Sequence, residues 1–230
     1  MKELKTIGLL GGMSWESTIG YYRAINQGIK QTLGGLHSAK IVLYSVDFDP
    51  LEEHMREGDW DSIADELTAA ARKIQSADAD FLLLCTNTMH RVAPQIEEKI
   101  DIPFIHIADA TAEVLKNANI TSVGLLGTEF TMEQDFYKGM LVDKYGIQVV
   151  VPEPKEREFI HNSIFKELCQ GKTSRDSKER YLQVIESLAA GGAEAVILGC
   201  TEIGMLIEQK DTGVPLFDTT AIHAQKGVEL

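Results

Sequence analysis

Two segments of the chain end in a small side chain that can give or take a proton, each at the tip of an apolar run. The first is Ala79-Asp80-Phe81-Leu82-Leu83-Leu84-Cys85-Thr86-Asn87-Thr88. The second is Ala193-Glu194-Ala195-Val196-Ile197-Leu198-Gly199-Cys200-Thr201-Glu202. Identity alone would align Cys85-Thr86 with Cys200-Thr201, but the acidic residue that opens each run sets another register. Six positions separate Asp80 from Thr86, and six separate Glu194 from Cys200. Thr86 therefore matches Cys200, and Cys85 matches Gly199. Side chains alternate across a strand, which turns Cys85 away from whatever Thr86 faces and makes it a small core hydrophobe. Cys169, beside Phe165 and Leu168, reads the same way. Cys200 leaves a buried strand and precedes polar Thr201 and Glu202. At such a strand-to-helix end, helix amides are expected to lower the thiol pKa and stabilise an adjacent anion. A thiol and a hydroxyl at equivalent places suit proton transfer on both faces of one small molecule.

The elements that must carry these groups repeat as well. Ile7-Gly8-Leu9-Leu10-Gly11 precedes the first segment much as Val123-Gly124-Leu125-Leu126-Gly127 precedes the second. Apolar runs predict strands at 7–10, 41–46, 81–85 and 104–107, then at 123–126, 148–151, 195–198 and 214–217. Helical spacing predicts helices at 17–30, 60–76, 92–99 and from 110, then at 132–145, 159–169, 175–190 and 221–230. The acidic run Asp49 to Glu57 reads as a solvated face. Strands alternating with helices imply parallel sheets covered on both faces. The expected fold class is α/β, with two pseudo-symmetric lobes and a site in the cleft between them. Residues 1–108 with 218–230 would form the first lobe and 109–217 the second.

Composition narrows the ligand. A net charge of −13 over 230 residues argues against a nucleic-acid backbone or an anionic membrane surface as partner. The glycines after the first strand do not make a dinucleotide fingerprint, because Gly8 lies inside the strand and Met13-Ser14-Trp15 fills the turn. The six histidines form no spaced ligand pair, and three cysteines without a C-x-x-C spacing read as free thiols. His90 and His106 are placed near the strand ends, with structural polar roles equally open. The N-terminal apolar run is too short for a signal-peptide core, and no stretch has membrane-span length. The expected address is the cytoplasm.

Gly11-Gly12-Met13-Ser14, Thr86-Asn87-Thr88-Met89-His90 and Gly199-Cys200-Thr201-Glu202-Ile203 together resemble the aspartate/glutamate racemase family. The resemblance spans nearly the whole chain, including Pro103 and Pro215 before the strands that follow each segment. It implies a cofactor-independent, cytoplasmic, homodimeric enzyme that holds an amino acid between two lobes. In that family two cysteines exchange protons with opposite faces of the α-carbon. Thr86 stands here at the first cysteine position, which resembles the Thr/Cys subgroup of L-aspartate/glutamate-specific and broad-specificity racemases. The family's aspartate racemases place an arginine after the second strand and a lysine before the second site. Here Asp47-Phe48-Asp49-Pro50-Leu51-Glu52 has no arginine, and Cys169 falls about where the lysine would.

The resemblance implies Thr86 and Cys200 as catalytic residues. It implies Met13, Asn87, Thr88, Thr128, Thr131, Thr201 and Glu202 as substrate-binding residues, with no metal and no cofactor. Such a site must stabilise an enediolate-like anion with aimed donors in dry surroundings, because no cofactor serves as electron sink. Asn87, Thr88 and Thr201 are the natural donors, and Thr128 with Thr131 would hold the α-carboxylate. Three alternatives stay open: a single-thiol decarboxylase or maleate-isomerase-like enzyme, a hydantoin racemase, and a non-catalytic small-acid binder.

Overall fold

The computed structural model describes residues 4–230; residues 1–3 of the expected first lobe lie outside that range. The chain divides into two compact units, one running to Ile107 and completed by His223–Leu230, the other spanning Ala108–Ile222. In the first unit, β1 (Thr6–Gly11), β2 (Lys40–Ser45), β3 (Phe81–Leu84) and β4 (Phe104–Ile105) form a parallel sheet in the order β2-β1-β3-β4. Helices α1 (Trp15–Leu33), α2 (Phe48–Glu57), α3 (Trp60–Ser76) and α4 (Ala93–Glu97) belong to the same unit. In the second unit, α5 (Ile107–Asn117) leads into β5 (Ser122–Gly127), α6 (Glu129–Glu133), α7 (Asp135–Gly139), β6 (Gln148–Val150) and α8 (Pro154–Lys166). Then come α9 (Arg175–Ala190), β7 (Ala195–Gly199) and β8 (Leu216–Asp218), and α10 (Thr219–Glu229) begins in this unit and belongs to the first from His223 on. This sheet is also parallel, in the order β6-β5-β7-β8. The α/β class and the repeated topology agree with the sequence reading.

Duplication extends to single hydrogen bonds. Asp80 accepts from the Thr6 amide at 2.6 Å, and Glu194 accepts from the Thr121 amide at 2.9 Å. Leu82 N–H donates to the Pro103 carbonyl at 2.8 Å, and Val196 N–H donates to that of Pro215 at 2.8 Å. Every residue of β3 and of β7 is buried, as a parallel strand covered on both faces requires. Cys85 lies in the core of the first unit with Ile7, Leu9, Tyr21, Ile25, Leu83 and Ala224. Burial pushes its thiol pKa far above the ordinary cysteine value. Cys85 is thus placed as the small buried core residue that the register implied.

Several elements depart from the expected bounds, and local capping explains most of them. The acidic run at 48–57 is solvated on one side only, because Leu51 and Met55, one helical turn apart, bury the other side of α2. Asp47 caps its start, and Gly58, at φ 76°, donates to the His54 carbonyl at its end. Helix α1 begins at Trp15 because Ser14 accepts from the Ser17 amide at 3.3 Å. The helix expected at 132–145 is divided: Thr128 starts α6 early, and Gln134 turns extended (φ −92°, ψ 153°) before α7. A π-helical turn, Met140–Lys144, follows α7. The break seats buried Tyr137, whose hydroxyl donates to Thr111 Oγ1 at 3.4 Å. The Glu153/Glu156 capping box starts α8 at Pro154, five residues before the expected start. The last strand is Leu216–Asp218 rather than 214–217, and Asp218 accepts the Thr220 amide at the start of α10.

Candidate active site

Ladder register fixes which strand-end residues are equivalent. Leu10 pairs with Leu84 in the first sheet, and Leu126 pairs with Leu198 in the second. Leu10 and Leu126 hold the same place in the repeated β1 and β5 sequences. Thr86 and Cys200 therefore each stand two residues beyond a matched rung, at the carboxyl end of a central strand. Open α/β sheets bind ligands at that end. Cys85 continues the ladder, its amide donating to the Leu10 carbonyl at 2.9 Å.

In the first unit the chain turns at Thr86, which is 6% exposed, and passes through buried Asn87 and Thr88 into a 3₁₀ turn, Thr88–Val92. His90 reaches back across that turn, its Nδ1 2.7 Å from the Thr86 carbonyl, while the Ile107 amide meets its Nε2 at 3.2 Å. The carbonyl can only accept and the amide can only donate. The ring must therefore be the Nδ1–H tautomer. Burial holds His90 well below the ordinary histidine pKa, and the neighbouring His106 and His223 add to the shift. His223 is arranged similarly, with Nε2 2.7 Å from the Ile105 carbonyl and Nδ1 3.0 Å from the Tyr21 hydroxyl; burial lowers its pKa to about 3. Of the two roles open to His90, the geometry is that of a structural anchor for the Thr86 main chain. Its four-residue spacing from Thr86 was the available signal, but Ile107 lies 17 positions away.

The turn after β1 is closed by the protein itself. Gly12 has φ 104°, and a Cβ there would collide with the main chain of Val46. Its amide donates to Thr18 Oγ1 at 2.9 Å, and Thr18 donates on to the Ser14 carbonyl at 2.8 Å. Met13 is buried in this turn.

In the second unit, Thr128 Oγ1 accepts the Thr131 amide at 3.3 Å and lies 3.2 Å from Thr131 Oγ1. Cys200, Thr201 and Glu202 are all buried. Cys200 Sγ donates to Glu202 Oε2 at 2.9 Å, and Thr201 Oγ1 donates to the same oxygen at 2.7 Å. Here the expected electrostatics reverse. Burial and the Glu202 carboxylate push the Cys200 thiol well above its ordinary pKa. Strand β7 gives way to a turn and a three-residue 3₁₀ segment, Ile203–Met205, so there is no long helix whose aligned amides could lower it.

Among the described residues no group of three His, Cys, Asp or Glu side chains could hold a metal ion, and no helix is long and apolar enough to cross a membrane. In the stretch 47–52, which has no arginine, Asp47 accepts the Asp49 amide at 3.4 Å and caps α2.

Comparison with known proteins places this architecture. A crystal structure from Yersinia pestis, assigned as an Asp/Glu racemase, is 51% identical, covers 98% of both chains and superposes with a TM-score of 0.91. An aspartate racemase homologue from Pyrococcus horikoshii is 33% identical over 98% of both chains, with a TM-score of 0.82. The broad specificity amino-acid racemase RacX of Bacillus subtilis is 22% identical over 225 residues, 96% of each protein. The model of the Asp/Glu/hydantoin racemase family matches residues 10–227. The chain belongs to the Asp/Glu/hydantoin racemase family, and so to the isomerases.

Proposed function

We propose that this enzyme interconverts L- and D-amino acids without a cofactor, by proton transfer at the α-carbon between Cys200 and Thr86. The observation that carries the reading is their matched register, each two residues past equivalent rungs of a duplicated sheet. Each lobe would then present one proton-transfer group to one face of the substrate. Cys200, as thiolate, removes the α-proton from one enantiomer. Thr86 supplies a proton to the opposite face as donor or relay, since its hydroxyl is too weak an acid to be a ready alkoxide. Asn87, Thr88 and the main-chain amide of Thr201, whose hydroxyl proton is already given to Glu202 Oε2, are assigned to the developing enediolate, with Thr128, backed by Thr131, at the α-carboxylate and Met13 against the substrate. Glu202 sits at the same site, joined to Cys200.

The substrate set we propose is aspartate, glutamate and a broader range of amino acids. The Bacillus subtilis relative is named for broad specificity, and the other two are named for the acidic amino acids. The lack of an arginine in the stretch 47–52 favours breadth, because no side chain in that stretch supplies a charge-assisted bond to an acidic side chain. We further propose a cytoplasmic homodimer. The two groups differ in chemistry, so the enantiomer deprotonated by Cys200 should show the larger kcat. An equilibrium constant of one still obliges the two kcat/KM values to match.

Incubation with a panel of L- and D-amino acids in deuterium oxide tests the reading. α-Deuteration accompanied by inversion supports it. Ligand protection without exchange identifies a binder. Because only Cys200 carries a thiol at the paired positions, a single-thiol decarboxylase is the second reading, and carbon dioxide release from a disubstituted malonate would reveal it.

A further inference from the structure

A histidine ring holds the main chain in two of the strand-end turns that carry assigned site residues. His90 does so in the first unit, through its Nδ1 at the Thr86 carbonyl. His161 on α8 is the second such ring, and it takes no part in the proton transfer. Its Nδ1 lies 3.2 Å from the Glu129 amide, at the start of α6. That amide is the first of the helix and has no acceptor within it. It can only donate, so Nδ1 must be bare and the ring must be the Nε2–H tautomer. Phe130 and Phe165 flank the ring, with centroids 6.2 and 5.0 Å away. His90 is the opposite tautomer and is buried, whereas His161 is half-buried and open to protons from water. The bonded amide belongs to the peptide plane that joins Thr128 to Glu129. Tying that plane to α8 holds Thr128 at ψ 159° and so sets the direction of its side chain.

We propose that His161 is a positioning residue for the reaction: its neutral ring pins the Thr128–Glu129 peptide and so aims the hydroxyl assigned to the α-carboxylate. Taking up a second ring proton puts hydrogen on Nδ1, and the bond to the amide is lost. The charged groups that face the ring are Glu129 and Glu133 on α6 and Lys166 at the end of α8. Glu133 is itself paired with Arg157 at 2.7 Å. Burial opposes the extra proton and prevails, with Lys166 on the same side and both glutamates against. The ring therefore charges below the ordinary histidine range, so the anchor is complete at neutral pH and is lost in acid. The α-carboxylate is already an anion before the α-proton moves. A loosened anchor should therefore weaken binding more than the chemical step, and appear in KM rather than in kcat.

The effect on turnover rests on the racemase reading, while the bond itself is read without substrate. Two-dimensional proton–nitrogen NMR of the imidazoles should show His161 as the Nε2–H tautomer at pH 8, and an Nδ1–H ring would overturn the proposal. KM and kcat for L-aspartate, from α-deuteration, are then compared in wild type, His161→Asn and His161→Leu. Asparagine keeps an acceptor that does not titrate, and leucine removes it. At pH 8, His161→Leu should raise KM about fivefold, the size of one hydrogen bond, with kcat nearly unchanged and His161→Asn close to wild type. As the ring takes up its proton in acid, followed by the same NMR, the wild-type KM should move from the His161→Asn value to the His161→Leu value. Equal KM values for the two folded variants at pH 8 overturn the proposal. So does a wild-type KM that stays with His161→Asn after the ring has charged. A wild type that exchanges no amino acid removes the racemase reading instead. The same comparison is then made on the dissociation constant of L-aspartate, where equal values for the two variants overturn the positioning role and a weaker His161→Leu supports it.

Discussion

After β3 the chain turns at Thr86, and a buried histidine grips the main-chain carbonyl of that residue. After β7 it turns at Cys200, and the side chain itself is bonded, to Glu202. The two loops begin at the same rung of equivalent ladders and then use their hydrogen bonds for different ends. In the first, His90 spends both ring nitrogens on the main chain, at Thr86 and Ile107, which fixes position. In the second, the bonds of Cys200 and Thr201 converge on one carboxylate oxygen, which fixes where a proton sits. A hydroxyl needs no partner to stay protonated at neutral pH, but it must be aimed. A buried thiol needs a route to its anion. The repeated scaffold thus carries two strand ends of different side-chain chemistry.

The largest effect should come from removing the thiol. Cys200→Ser nearly preserves volume, so folding should be little changed, while α-proton exchange falls more than tenfold because a hydroxyl is far harder to ionise. Retention of more than a tenth of wild-type exchange would take Cys200 out of the reaction.

Acid should next reveal the cost of the histidine anchor. His90 and His223 are neutral in the native state, with folded pKa values below the unfolded value near 6.5. Their stabilising contribution is fully present above about pH 6.5 and is lost progressively as pH falls, towards about 3 for His223. In that window the unfolded chain binds more protons, so stability rises with pH by at most about 1.4 kcal/mol per unit for each ring. Urea unfolding at pH 7, 6 and 5 should show the midpoint falling with acidity. A midpoint that held steady would mean that these rings titrate normally.

A smaller change is expected from Cys85→Ala. It removes one buried sulfur and should cost about 1 kcal/mol or somewhat more, while turnover per folded molecule stays nearly intact. A well-folded but inactive Cys85→Ala would restore the alignment by identity, with Cys85 as the partner thiol.

The sheets were legible because four-residue apolar runs such as Phe81–Leu84, closed by polar turns, have few other interpretations. The register was legible for a local reason. Asp80 and Glu194 each tie to the strand that precedes theirs in the sheet, so counting from them counts ladder rungs. Helix α2 escapes a periodicity reading because only Leu51 and Met55 are buried in a run that is otherwise acidic and polar. The environment of Cys200 differs from expectation because lowering the thiol pKa needs a helix start, and Thr201-Glu202 enters a short 3₁₀ turn instead. Sequence places Glu202 in the site only as a substrate contact. Its bond to the sulfur two residues away depends on the shape of that turn, which no periodicity encodes.

Thr86 carries the central claim that two unlike groups work on opposite faces of one carbon, and measuring exchange and inversion separately tests it most directly. Thr86→Val keeps the shape and removes the proton, while Thr86→Cys offers a far more readily ionised group at the same rung. Both enantiomers of an active substrate would be followed in deuterium oxide for each variant, by α-deuteration and by chiral chromatography. The account predicts that Thr86→Val loses inversion while Cys200 still exchanges the α-proton of one enantiomer, and that Thr86→Cys accelerates deprotonation of the other. Unchanged inversion in Thr86→Val would contradict it, because the second face would then be served by a bound water or another side chain.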